Sequence, residues 1–323
     1  MRRLAFVLSI LGLLAPVFAA ENSPIPVVLD TDIGDDIDDT WALCMLLKSP
    51  QFDLKLVTTT YGKNEYRGKL LAKLLMVAGR TDVPVGLGAG GKTGSGGQQE
   101  WIKDYKLADY PGKVHEDGVK ALVELINTSK RPITIIAIGP LQTLGAALEM
   151  DPGIAAKANL AAMQGSVRKG YDGNKTPCPE WNVKAGIAQA KRVFSAPWKQ
   201  AVITPLDTCG LVKLAGPRMQ TLRECKDELT QALLENYRIW KKKTEISQLT
   251  ESSILFDTVA VYLADTAPRT LTEIESLKIA VDDKGMTLIS PEDAQMGVAT
   301  SWKDLDGYKD LLVKILTSPT VKK

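Results

Sequence analysis

Val27-Val28-Leu29-Asp30-Thr31-Asp32-Ile33-Gly34-Asp35-Asp36-Ile37-Asp38-Asp39 is an apolar run that ends in six carboxylates within ten positions. Trp41-Ala42-Leu43-Cys44-Met45-Leu46-Leu47 follows at once. A strand that stops at acids, followed by a helix that starts from acids, gathers several carboxylates at one point. Uncompensated, they repel one another strongly, and two things relieve this: solvent, or a hard cation such as Ca²⁺ or Mg²⁺. The plainer reading is an acidic turn with N-capping aspartates, since carboxylates favour a helix N-terminus.

The first residues read as a leader. Arg2 and Arg3 precede an apolar stretch over 4–14, and Val17-Phe18-Ala19 offers the small residues of a signal-peptidase site. Residues 1–20 are therefore expected to be a signal peptide, too short in its apolar core to span a membrane, and the chain is expected to be exported to a periplasm or the exterior. Residues 21–323 are expected to form a single domain, since the only Gly-rich patch, 86–97, reads as a loop. The 40 basic and 38 acidic residues become equal in number without Arg2 and Arg3, which gives no electrostatic case for nucleic acid or an anionic membrane. Cys44, Cys178, Cys209 and Cys225 match no zinc spacing, although export permits a disulfide between Cys178 and Cys209. A single histidine, His115, argues against His-rich metal sites and a Ser-His-Asp triad.

Apolar runs alternate between strand and helix character. Strands are predicted at 26–29, 54–60, 83–87, 133–138, 158–163 and 201–204, with a terminal pair at 278–281 and 286–289. Helices are predicted at 40–48, 65–78, 116–127, 141–149 and 184–194, then one long helix over 223–242, one from Asp257 and one over 308–316. The run 133–138 is apolar on both faces, as in the middle of a covered parallel sheet. This alternation predicts an α/β fold with an open, mostly parallel sheet flanked by helices. Ligands in such sheets bind beyond the carboxyl ends of the strands, where 30–39, Ile138 and 204–207 lie.

Asp30-Thr31-Asp32 after a strand resembles the haloacid dehalogenase phosphatases, but no convincing later acidic pair offers to hold their Mg²⁺: Asp282-Asp283 follows a strand but sits beside a hairpin glycine. Four ordered anchors over nearly the whole mature chain resemble the nucleoside hydrolase family instead. They are Asp30-Thr31-Asp32-Ile33-Gly34 with Asp38-Asp39; Ile138-Gly139-Pro140-Leu141; Met163-Gln164-Gly165 followed by Gly173-Asn174 and Glu180-Trp181-Asn182; and Asp257 opening a late helix. The resemblance implies hydrolysis of an N-ribosyl bond in a small-molecule nucleoside, with bound Ca²⁺ and frequent homo-oligomers. It implies Asp32 as general base and metal ligand, Asp39, Asp257 and the Ile138 carbonyl as further metal ligands, and Asp38, Asn174, Glu180 and Asn182 as sugar-binding residues. Oxygen-only ligation suits a hard cation and needs no histidine. Read singly, Glu180 and Asp257 are equally helix caps and Gly173-Asn174 a turn.

The departures are specific. Asp35-Asp36-Ile37 separates Gly34 from Asp38 where the family pattern has one residue, so Asp35 or Asp36 competes with Asp38 for the site. The family's early Gly-Asn appears as Gly62-Lys63-Asn64, and Phe256 stands where family members acting on inosine often carry histidine before the late aspartate. Help for the leaving group must then come from His115 or elsewhere, with Tyr237, Trp240 or Trp181 available to stack a base. A riboside-binding protein that has lost turnover is the second reading, and the phosphatase the third.

Overall fold

The computed structural model describes residues 23–265 and 270–321; the expected leader lies outside them. In chain order the elements are β1 (Ile25–Thr31), α1 (Asp38–Leu47), β2 (Phe52–Thr59), α2 (Asn64–Val77), β3 (Val85–Gly86), β4 (Val114–His115), α3 (Gly118–Thr128), β5 (Ile133–Ala137), α4 (Gln142–Met150) and β6 (Ala158–Met163). There follow α5 (Trp181–Lys184), α6 (Ile187–Ser195), β7 (Gln200–Thr204), α7 (Pro217–Glu224), α8 (Glu228–Trp240), α9 (Thr258–Ala264), β8 (Thr272–Val281), β9 (Thr287–Ile289), β10 (Gln295–Trp302) and α10 (Leu305–Thr317).

Among the described residues all ten strands join one sheet in the order β4-β3-β2-β1-β5-β6-β7-β10-β8-β9. Pairing is parallel from β4 through β10, and antiparallel for β10 with β8 and β8 with β9. The central strands are buried on both faces because side chains alternate. Val27, Leu29 and Ile136 face a core with α1, α2, α8, α9 and α10, whereas Val28, Ile135 and Ala137 face one with α3, α4 and α6. Helix α1 is buried along its whole length and packs against α8, α9 and α10, which explains its unbroken apolar sequence. From β1 the chain builds outward through β2, β3 and β4, then returns to place β5 on the other side of β1. That reversal leaves a crevice beyond the carboxyl ends of β1 and β5.

Four readings of the chain are corrected. The helix predicted over 223–242 is two, α7 and α8, because Cys225 is extended and Asp227 caps α8, its Oδ1 accepting the Thr230 N–H at 3.1 Å. Asp227 also ion-pairs with the buried ammonium of Lys48, which in turn donates to the Ser318 carbonyl and so ties α1 to both the break and the C-terminal segment. The helix predicted over 184–194 is interrupted at Gly186, giving α5 and α6. The expected terminal pair is a longer β8 with β9, and β10, unanticipated in Gln295-Met296-Gly297-Val298-Ala299-Thr300, inserts between β7 and β8. Its polar residues and glycine disguise it as a loop. The Cys178–Cys209 disulfide is absent. Both are free thiols, and the buried Cys209 Sγ donates to the Pro205 carbonyl at 3.2 Å. Among the described residues no helix is long and apolar enough to cross a membrane.

Candidate active site

The adjacent parallel strands β1, β5 and β6 end at neighbouring points, so Asp32, Ile138 and Met163 come together. They line one cleft with Asp35, Asp36, Asp38, Asp39, Tyr171, Glu180, Trp181, Asn182, Phe256 and Asp257. Asp38 and Asp39 open α1, and Asp257 precedes α9, which lies against β5, β6 and β7. Carboxylate oxygens of Asp38, Asp39 and Asp257 all lie within 4.8 Å of one another, and the three residues are buried. The capping reading of Asp257 fails, since its side chain makes no cap hydrogen bond; its backbone N–H instead donates to Asp38 Oδ2 at 3.2 Å.

Charge in this crevice is poorly compensated. Burial, and then neighbouring carboxylates, push Asp38, Asp39 and Asp257 well above the usual carboxylate range. Burial raises Asp32 to about 6 against the opposing pull of Arg67. Beneath it, Asp30 is raised to about 8 by burial; its Oδ1 accepts the Thr58 hydroxyl at 2.6 Å and its Oδ2 is buried without a partner. A set of buried oxygen donors that raise one another's proton affinity is one that a hard divalent cation relieves, and no soft ligand lines the cleft except Met163. The donor chemistry therefore fits a hard cation. Asp38 belongs to the acidic triad itself, so it is placed as a candidate ligand as well as a sugar contact.

The two extra residues of the acidic loop stand at the rim of the cleft. Gly34 adopts φ +110°, where a Cβ would strike the Tyr66 ring, and its carbonyl accepts the Tyr66 hydroxyl at 3.0 Å. Asp35 ion-pairs with Lys63 and with Arg67 Nη2 at 2.9 Å; these cations outweigh its burial and hold its carboxyl below the usual range. Asp36 is exposed at the mouth, its Oδ1 accepting the Ile37 N–H at 2.7 Å. Neither replaces Asp38 in the triad. Gly139 serves the other side of Asp32, because a Cβ there would stand 2.6 Å from Asp32 Oδ1.

Arg67, which the sequence reading missed, organises the loop from α2. The side chain is fully buried and donates to the carbonyls of Asp32, Ile33 (2.8 Å), Gly62 (2.8 Å) and Tyr61 (3.2 Å) besides the Asp35 pair. Its place on the apolar stripe with Leu70, Leu71 and Leu74 was the available signal. Arg67→Ala strips all of these acceptors at once and is expected to destabilise the fold by about 3–5 kcal/mol. A guanidinium denaturation midpoint indistinguishable from wild type would contradict that.

Glu180 and Asn182 are brought to the cleft. Glu180 is a helix cap as well as a cleft residue: Oε1 accepts the Asn182 N–H at 2.8 Å, and Oε2 those of Gly165 at 2.9 Å and Val183 at 3.3 Å. Burial still raises its carboxyl to about 7. Asn182 Nδ2 donates to the carbonyls of Ile138 at 3.2 Å and Met163 at 3.1 Å. Asn174 is not brought in. It is exposed, and its Oδ1 closes a turn by accepting the Thr176 N–H at 3.0 Å. Asn64 is structural too, joining Thr59 Oγ1 at 2.9 Å to the Gly88 carbonyl at 2.6 Å.

The aromatic side differs from expectation. Phe256 lines the cleft with its ring edge-to-face on Tyr171, centroids 6.2 Å apart, and Trp181, 54% exposed, meets Tyr61 edge-to-face at 6.1 Å. Tyr237 is buried in the core, and Trp240 stacks on it while Nε1 donates to the Asp35 carbonyl at 2.9 Å, so neither reaches the cleft. His115 lies on the edge strand β4, three strands from β1, and does not line it either. Asp283 is exposed and ion-paired with Lys191, and among the described residues no Lys, Ser or Thr lines the cleft, so the phosphatase set does not assemble there.

Residues 27–310 match the family model described as inosine-uridine preferring nucleoside hydrolase. A probable uridine nucleosidase 2 of Arabidopsis thaliana is 30% identical over 190 residues, covering 52% of this chain and 55% of that protein. A pyrimidine-specific ribonucleoside hydrolase of Enterobacter sp. (strain 638) is 30% identical over 192 residues, covering 53% and 57%. The matched stretch thus spans little more than half the length of these curated relatives. A solved plant nucleoside hydrolase superposes with a TM-score of 0.76 at 22% identity, covering 92% of this chain and all of that one.

Proposed function

Since the chain belongs to the inosine-uridine preferring nucleoside hydrolase family, we propose that it hydrolyses the N-ribosyl bond of a nucleoside in the cleft beyond β1 and β5. The observation that carries this reading is the meeting of the Asp38–Asp39–Asp257 triad with Asp32, Glu180 and Asn182 in one cleft. Asp39, Asp257, Asp32 and the Ile138 carbonyl, with Asp38 beside them, would hold a cation, and an all-oxygen set of this kind favours Ca²⁺. When bound, the cation supplies positive charge that lowers the pKa of water and grips vicinal hydroxyls.

The remaining steps belong to the chain's own residues. Asp32 takes a proton on its carboxylate as a water oxygen attacks the anomeric carbon, and a group raised to about 6 is both ionised at neutral pH and basic enough to do so. Asp38 and Glu180 accept hydrogen bonds from sugar hydroxyls, and Asn182 orients the ring from the side of Ile138 and Met163. The transition state has oxocarbenium character, which the surrounding carboxylates stabilise electrostatically.

Ribose release from uridine, cytidine and inosine by the full chain with Ca²⁺, abolished by chelation and restored by the ion, is the test. Tight nucleoside binding without release would favour the turnover-less binding protein, and phosphate release from a phosphoester the phosphatase. Export is proposed from residues 1–20 alone; N-terminal sequencing of protein from the periplasm or medium should begin at Ala20 or Glu21, and an intact Met1 would contradict it.

A further inference from the structure

A sugar, rich in hydroxyls, belongs with the carboxylates and the Ile138 carbonyl, which leaves Tyr171, Phe256 and Trp181 to face the leaving group. Within the cleft few neutral side chains still have a hydrogen to donate. The Asn182 amide is already directed to Ile138 and Met163. Tyr171 opens the short turn Tyr171–Gly173, is 38% exposed, and is anchored at both ends of its side chain: the ring by Phe256 and the hydroxyl oxygen by the Trp181 N–H, which it accepts at 2.9 Å. With the oxygen fixed in this way, its own O–H hydrogen has no acceptor among the described residues. The Trp181 indole N–H is the other free donor, but it sits on the most exposed ring of the cleft.

We infer that Tyr171 is the hydrogen-bond donor to the departing base, in an enzyme that lacks an imidazole at this position. The inference rests on the N-ribosyl hydrolysis reading, in which the leaving group is the planar heteroaromatic base of a nucleoside. Such a base carries an acceptor, a carbonyl oxygen or ring nitrogen, conjugated to the glycosidic nitrogen. In the step, the water oxygen bonds to the anomeric carbon as the carbon–nitrogen bond breaks. The bonding pair passes to the base and delocalises onto that acceptor, where the Tyr171 O–H stabilises it. The water proton goes to Asp32 and then to solvent, solvent protonates the base, and nothing is oxidised or reduced. Burial and the nearby Glu180 carboxylate hold the phenol protonated throughout the physiological range, so it donates a hydrogen bond and does not transfer its proton.

The test compares Tyr171→Phe with wild type, as full chains with Ca²⁺, on uridine, inosine and 4-nitrophenyl riboside, whose leaving anion is stable unaided. The ratio of kcat/KM on nucleosides to that on the nitrophenyl riboside is expected to fall about 30-fold or more in Tyr171→Phe, chiefly through kcat. Equal losses on all three substrates, or a ratio that shifts in Trp181→Phe but not in Tyr171→Phe, would overturn the inference. A wild-type chain that releases ribose from none of them would overturn the hydrolase reading, and this inference with it.

Discussion

Asp32→Asn, assayed at Ca²⁺ concentrations that saturate the variant, is expected to lower kcat by about 10³-fold or more while leaving the fold in place. The carboxylate is placed by two backbone features rather than by its own flexibility. Arg67 clamps the Asp32 carbonyl from α2, and Gly139 leaves the space that a Cβ would take from Oδ1. Asparagine keeps that shape and an oxygen for the cation, so once the cation is saturating what is lost is the ability to accept a proton from the attacking water. Wild-type rate is expected to rise with pH through the Asp32 titration, at about 6 or below once a cation lies beside it, because the ionised form is the active one. The residual activity of Asp32→Asn should lack that acidic limb. Steady-state ribose release across pH 4–8, with circular dichroism as the folding control, measures both. A variant within tenfold of wild type would remove Asp32 from the role of base.

Asp257→Asn is expected to separate a metal ligand from a purely structural carboxylate by the sign of its effect on stability. In wild type, Ca²⁺ at a thousandfold excess over Kd adds about 4 kcal/mol, roughly 6–10 °C in Tm for a chain of this size. The variant should lose most of that increment, and most of its turnover. Without the cation the order reverses. Asp257 lies buried among Asp38, Asp39 and Asp32, and its proton affinity is raised by burial and by them. A carboxyl whose folded pKa is raised contributes stability fully only below its unfolded value near 4, and that contribution is lost as pH rises through the folded value. Metal-free wild type should therefore weaken from about pH 4 upward, more steeply than metal-free Asp257→Asn. Thermal melts of both proteins in chelator and in Ca²⁺ at pH 5 and 8 check this. A variant less stable than wild type in chelator at pH 8, with an unchanged calcium increment, would mark Asp257 as structural.

How far the sequence could be read depended on how local each signal was. Strands β1, β5 and β6 were legible because burial on both faces leaves mostly apolar runs, broken only by single residues such as Thr134 and Asn159, and the acidic loop because six carboxylates have few uses. The buried strand β10 was not, since its polar residues, glycine and late position hide its pairing with β7 and β8. The break between α7 and α8 depends on Lys48, which is 179 positions from Asp227 and silent in any local window. Within the site, Asp257 alone is indistinguishable from a cap, and only the order of several anchors distinguished it. Asn174 carried the same anchor logic but stands exposed outside the cleft lining, its Oδ1 holding the Thr176 N–H of its own turn. Tyr171 had no signal at all: one ring in a loop of Gly, Asp and Lys acquires meaning only when Phe256 and the Trp181 N–H converge on it.

A crystal structure of the chain soaked with Ca²⁺ and ribose addresses the central claim most directly. The expected result is one ion at about 2.3–2.6 Å from carboxylate oxygens of Asp32, Asp39 and Asp257 and from the Ile138 carbonyl, with ribose hydroxyls completing its shell and a water beside Asp32. An ion held instead by Asp35 and Asp36, or ribose bound away from the carboxyl ends of β1 and β5, would contradict it.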